Sequence, residues 1–193
     1  MRMTIVKRSM ITAVCVALTV VLPMAFHAVP NAGSVILPMH IPVLLCGLIC
    51  GWPFGLACGL IGPLLSNLFT GMPPMAALPA MLVELAVYGL MAGLLMSCVR
   101  TRKVYADLYF SLLVAMLAGR IVAGMARALI FAAGSYSMAA WTTSYFVTSL
   151  PGIAIQIVLL PSIVFALERA RLIPARYPKE IVLDGSPGLD SSE

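Results

Sequence analysis

The sequence predicts an all-α membrane protein: six transmembrane helices in one bundle, with the N and C termini both cytoplasmic. Three observations carry that prediction. Of the 193 residues, 62% are hydrophobic and only 10% are charged. With a mean hydropathy of +1.05, the chain has too little charge to cover the surface of a soluble domain. Several apolar stretches also reach the roughly 20 residues needed to cross a hydrocarbon core of about 30 Å. Finally, the net charge of +5 is not spread evenly. Lys7 and Arg8 precede the first apolar run, Arg100, Arg102 and Lys103 fall in one break near the middle, and Arg169, Arg171, Arg176 and Lys179 follow the last run. The positive-inside rule puts all three groups in the cytoplasm. The number of spans is then even, and the basic balance needs no nucleic-acid partner.

The first span is expected over residues 9–28. The opening MRMTIVKRSM has the flavour of a signal peptide, but the apolar run behind it is too long for an h-region and its cleavage context is poor, so it reads as a retained first helix. Residues 29–39 (VPNAGSVILPM) hold two prolines, an Asn and a Gly and read as an outer loop that dips back. The run from Val35 to Val83 then carries no Asp, Glu, Lys or Arg. A single span there would leave the chain on the wrong side at GMPPM, so the run must fold back on itself. Gly51-Trp52-Pro53 is the expected turn, because proline lacks an N–H and disfavours helix before it. That makes a hairpin of residues 40–50 and 53–69, both short for full crossings. Gly47, Gly51, Gly55 and Gly59 suit close backbone approach between helices in lipid. The last three spans are expected over residues 79–98, 106–133 and 141–167.

Three ionisable residues fall well inside these spans: Glu84, Arg120 and Arg127. A charge at mid-membrane costs roughly 2.5–3.5 kcal/mol even on insertion scales, so each should face protein or water. At about 1.5 Å per residue, Glu84 and Arg127 both lie roughly 8–9 Å below the outer ends of their spans. Arg120 is a heptad deeper on nearly the same face. Glu84 and one arginine can form a structural pair between helices. Alternatively, two arginines against one glutamate leave a positive surplus suited to an anionic ligand group such as a carboxylate. His40, Ser66, Asn67 and Tyr88 reach the same outer half, and the uncharged amide of Asn67 needs a partner in lipid. Tyr136, Trp141, Thr142 and Tyr145 flank the last outer loop, where an interfacial belt explains the aromatics.

No metal set or nucleophile arrangement is visible. His27 and His40 are thirteen residues apart with no nearby carboxylate, and there is no Walker motif for ATP hydrolysis. Five cysteines (Cys15, Cys46, Cys50, Cys58 and Cys98) lie in apolar segments. Cys46 and Cys50 share a helix face, which admits a metal or redox pair. Without a His or carboxylate beside them, thiols acting as small apolar groups explain them better. No catalytic residue, metal or cofactor is expected.

The order of these segments identifies a family resemblance. A first helix with an alanine pair and a long outer loop precede LPMHIPVLLCGLICGWPFGLACGLIGPLLSNLFTGMPPM. A helix with Glu84-Leu85-x-x-Tyr88-Gly89 and one with AMLAGRIVAG (115–124) follow. Over residues 9–168 this resembles the substrate-specific S components of energy-coupling-factor (ECF) vitamin transporters, most of all the pantothenate-type branch. The resemblance implies a non-enzymatic binding subunit with a pocket in the outer half, capped by the first outer loop. It also implies docking on a transmembrane coupling subunit and two ATPase subunits, followed by toppling to release substrate inside. Family docking through an A-x-x-x-A pattern maps onto Ala13 and Ala17, although simple helix packing explains that motif equally well. For pantothenate, Arg127 or Arg120 would meet the carboxylate, with Asn67, Glu84, His40 and Tyr88 around its hydroxyl and amide groups. A pyridoxine or cobalamin S component is the alternative.

Residues 1–170 would then form the six-helix substrate-binding domain and 171–193 a cytoplasmic, disordered tail. The expected location is the bacterial plasma membrane, as a multi-pass protein. Two rivals come from other classes. A membrane-embedded enzyme using Glu84 as acid or base lacks a nucleophile or metal set. A self-sufficient carrier driven by protonation of Glu84 lacks an internal repeat.

Overall fold

The computed structural model describes residues 3–26, 35–128, 138–143, 147–174 and 176–177; of Met138 and Ala140 only the backbone is described. His27, Tyr136 and Tyr145 lie outside the described residues. Within them the protein is all-α. The helices are α1 (Ile5–Ala25), α2 (His40–Cys50), α3 (Trp52–Thr70), α4 (Leu78–Cys98), α5 (Val104–Ala126), the short α6 (Met138–Thr142) and α7 (Leu150–Arg169). Five of these, α1, α3, α4, α5 and α7, are long and apolar enough to cross a membrane, and α2 is a shorter apolar helix.

Proline and glycine set most of the boundaries. Thr4 caps α1 by accepting a hydrogen bond from the Lys7 N–H at 3.4 Å, so this helix begins before its apolar run and takes in Lys7 and Arg8. Prolines open α3, α4 and α7 in their first turns, where a missing N–H costs nothing. Pro151 therefore moves the start of the last long helix to Leu150. The expected start at residue 141 falls instead in α6.

The predicted hairpin is present, closed by a single residue between α2 and α3. Gly51 makes that turn with φ of 93°, a value that L side chains rarely adopt. Its role is the turn, not close packing, because a Cβ there would meet nothing within 4 Å. The close approach falls to Gly47 and Gly55, which both press on the backbone of Gly89 in α4. A Cβ at Gly47 would stand only 2.6 Å from the Gly89 carbonyl oxygen. Small residues let helices gain dispersion contact in lipid, where the hydrophobic effect does not drive association.

α4 is the central helix, packed against α2, α3 and α5. Ten of the eleven residues of α2 are buried, and at about 1.5 Å per residue it is only roughly 16 Å long. So α2 is an inner helix rather than a lipid-facing one. Val43, Leu44, Leu85, Tyr88, Leu108, Leu112 and Leu160 form the interior with it. Val14, Leu64, Leu68, Phe110, Leu117 and Val158 point outward, as suits a surface solvated by acyl chains.

The chain after α7 folds back instead of leaving the bundle. Asp107, fully buried in the first turn of α5, accepts from the Thr101 N–H (2.9 Å) and Thr101 Oγ1 (2.7 Å) through one oxygen. Its other oxygen accepts from Arg176 Nε (2.7 Å) and the Tyr177 hydroxyl (2.5 Å). Arg176 also donates to the Val99 carbonyl at 2.5 Å, and Ile173 joins the buried interior. Packing against the bundle thus continues past residue 170, at least to Tyr177. This latch gathers Lys7 and Arg8, the Arg100–Lys103 loop and the segment after α7 at one end of the bundle, the basic end.

Candidate functional site

At the end opposite the basic clusters, four elements converge on one buried polar chain. Leu37, itself buried, adopts a left-handed φ of 55°. That turn lets its carbonyl accept from the His40 N–H at 3.1 Å, starting α2 with the imidazole inside the protein. Glu84 and Tyr88 stand one turn apart on α4. The Tyr88 hydroxyl donates to Glu84 Oε1 at 3.0 Å and accepts from Arg120 Nε at 2.8 Å. Arg120 continues the chain from α5 by donating through Nη1 to Ser149 Oγ at 3.0 Å, at the N-cap of α7. On the other side, His40 Nε2 lies 3.5 Å from Glu84 Oε1, and the imidazole stands edge-on to the Tyr88 ring with centroids 5.3 Å apart.

All five side chains are buried, with Glu84 at 7% exposure the most accessible and Tyr88 at 0% the least. Gly119 makes this possible, since the Tyr88 ring fills the space that a Cβ at residue 119 would take. Glu84 and Arg120 offset one another through a phenol rather than by contact. Their charges are balanced, yet the arrangement is not saturated. Neither ring nitrogen of His40 has a hydrogen-bond partner, and such groups in a dry interior are costly unless something completes them.

Of the two arginines, Arg120 is the one joined to Glu84 through Tyr88. The α-helix α5 is described to Ala126, with Arg127 as its C-cap; its expected end near residue 133 lies outside the described residues. Arg127 is half-buried. Asn67 is drawn elsewhere: its Nδ2 donates to the Pro73 carbonyl at 2.7 Å and holds the turn after α3. Trp141 is no simple interfacial residue, because its indole packs on Gly124 and donates to the Arg120 carbonyl at 3.4 Å.

Sequence reasoning missed Ser149, which anchors Arg120, and Gln156. The Gln156 side chain is fully buried on α7, and neither its oxygen nor its nitrogen has a partner. The rule that singled out Asn67, an uncharged amide in an apolar span, applied equally to Gln156. The cysteines behave as packing groups. Cys46 Sγ lies 3.5 Å from Thr12 Oγ1, and Cys50 Sγ donates to the Arg8 carbonyl at 3.7 Å, joining α2 to α1.

Helices long and apolar enough to cross a membrane, with a polar chain buried among them toward one end, define a multi-pass membrane protein. The family comparison agrees. The family model for the ECF transporter, substrate-specific component, matches residues 7–164. The chain belongs to that family, whose members are substrate-binding membrane subunits that associate with an ECF module. Neither the curated proteins nor the solved structures give a match to this chain.

Proposed function

We propose that this S component captures a water-soluble vitamin carrying a carboxylate, and that the vitamin is pantothenate. The observation that carries the reading is the buried polar chain of His40, Glu84, Tyr88, Arg120 and Ser149, with a second arginine, Arg127, one heptad further along the same segment. Arg120 is occupied by Tyr88 and Ser149 and offset by Glu84. Arg127 stands one heptad nearer the end of α5, where its guanidinium would meet the carboxylate with charge-assisted hydrogen bonds. His40 and Glu84 would take the hydroxyl and amide groups, with Tyr88 between them and Asn67 near the rim. Ala13 and Ala17 are both exposed on α1 and would meet the coupling subunit, with two ATPase subunits completing the module. The basic end would face the cytoplasm of a bacterial cell. Residues 1–170 would form the binding domain and residues 171–193 a cytoplasmic tail whose first part packs back on the bundle.

One observation favours a second reading. Because Glu84 and Arg120 already balance each other, an uncharged vitamin such as pyridoxine fits without any carboxylate partner.

The deciding experiment is thermal stability of the purified protein in detergent against a panel of water-soluble vitamins. A ligand at about 100 times its dissociation constant stabilises by roughly 2.7 kcal/mol. Stabilisation by pantothenate alone, lost in Arg127→Ala, supports the carboxylate reading. A shift with pyridoxine alone replaces the substrate. If no vitamin shifts a folded sample, vitamin capture itself is refuted.

A further inference from the structure

The basic end holds a second unsaturated place, independent of the vitamin site. A cavity of about 240 Å³ opens there, with Met3, Leu48, Met96, Val164 and Ile173 among its apolar walls and Arg8, Glu168 and Arg176 as its charged groups. That volume is about eight times the share of one water molecule in the liquid. The two arginines differ sharply. Arg176 is spent on Asp107 and the Val99 carbonyl. Arg8 has no ion-pair or side-chain hydrogen-bond partner among the described residues, and its Nε is buried without one.

Among the described residues no carboxylate pairs with Arg8. It sits in the first turn of α1, where the helix dipole disfavours a cation. Glu168 is the one carboxylate in the lining; it accepts from the Arg176 N–H at 3.2 Å and makes no ion pair with Arg8. Lys7, Arg169 and Arg171 are exposed nearby in sequence to these groups. A basic rim, one unmatched guanidinium and apolar walls together select an anion attached to hydrocarbon.

We infer that this cavity binds the phosphodiester of a phospholipid from the leaflet it faces, with the phosphate on Arg8 and the glycerol and upper acyl chain along Leu48, Met96 and Val164. Free phosphate offers the same anion without the apolar part, so the apolar wall is what distinguishes the two sources. Bound in this way, a lipid would tie α1 to α7 at the end of the bundle held by the Asp107 latch.

The test is native mass spectrometry of the purified protein titrated with dioleoylphosphatidylglycerol in detergent, with inorganic phosphate and a neutral diacylglycerol as parallel arms. One phosphatidylglycerol retained per chain is expected, with affinity reduced about tenfold or more in Arg8→Gln, the loss of one charge-assisted contact. Lys7→Gln removes the same charge one residue away at an exposed position and should leave affinity within about twofold. Ile49→Phe narrows the cavity without changing charge and should also weaken retention, which covers the case of a poorly folded Arg8 variant. Equal losses in the Lys7 and Arg8 variants would reduce the effect to a general basic rim and overturn the site. Equal binding of diacylglycerol, or full occupancy by phosphate alone, would overturn the lipid assignment. No vitamin enters the readout, so failure here leaves the proposed substrate reading standing.

Discussion

The two ends of the bundle use the same three kinds of side chain and reach opposite outcomes. At the basic end, Asp107 meets Arg176 directly at 2.7 Å and Tyr177 at 2.5 Å, and Thr101 occupies its other oxygen twice. At the far end, Glu84 and Arg120 are held apart with Tyr88 between them, and the neighbouring His40 nitrogens make no hydrogen bond among the described residues. The difference separates a saturated polar cluster from an unsaturated one. A carboxylate whose oxygens are all used by its own chain has nothing left to offer a ligand. A chain of groups with balanced charge and unused hydrogen-bonding capacity is stable enough to fold and still open to a partner.

The sharpest way to break this comparison is Arg120→Ala. It strands Glu84 and the Tyr88 hydroxyl in the interior, so a loss of about 3–5 kcal/mol is expected, read as a large drop in thermal stability in detergent. A loss below about 1 kcal/mol would mean that Arg120 is solvated and the chain is not a unit.

Asp107→Asn comes next. It removes the ion pair with a partly exposed Arg176 while keeping some hydrogen bonds, so about 2–3 kcal/mol is expected. Its distinguishing readout is limited trypsin digestion, with faster cleavage after Arg176 once the latch is loosened. Unchanged cleavage would show that Ile173 and Pro174 hold that segment without it.

The smallest effects sharpen the contrast by making one chemical change at both ends. Tyr88→Phe deletes the hydroxyl that bridges two buried charges and should cost about 2 kcal/mol. Tyr177→Phe deletes one of four hydrogen bonds to Asp107 and should cost about 0.5–1.5 kcal/mol. Equal costs in the two variants would erase the distinction between the ends.

Much of the fold was legible because hydropathy, proline and glycine act locally. The hairpin at Gly51 needed only a charge-free run, a topological parity argument and a Gly-Trp-Pro turn. Glu84, Arg120, Tyr88 and His40 could be nominated together because ionisable groups in apolar spans must face inward. Legibility failed where one helix end decides the depth of everything before it. The apolar pattern runs past Ala126 without a break, so span depth alone sets Glu84 level with Arg127, whereas the hydrogen bonds through Tyr88 join it to Arg120.

The sequence by itself determined that the chain crosses the membrane, where it turns back, and which few polar residues had to be buried. Only the tertiary structure decided who meets whom. Tyr88 sits between Glu84 and Arg120 because Gly119 leaves room for its ring. Asp107 reaches partners 69 and 70 residues away because the chain after α7 returns to the α4–α5 loop. The cost of burying a charge is a property of the residue and its segment. The partner that offsets it is set by helix ends and crossings, which depend on the whole bundle.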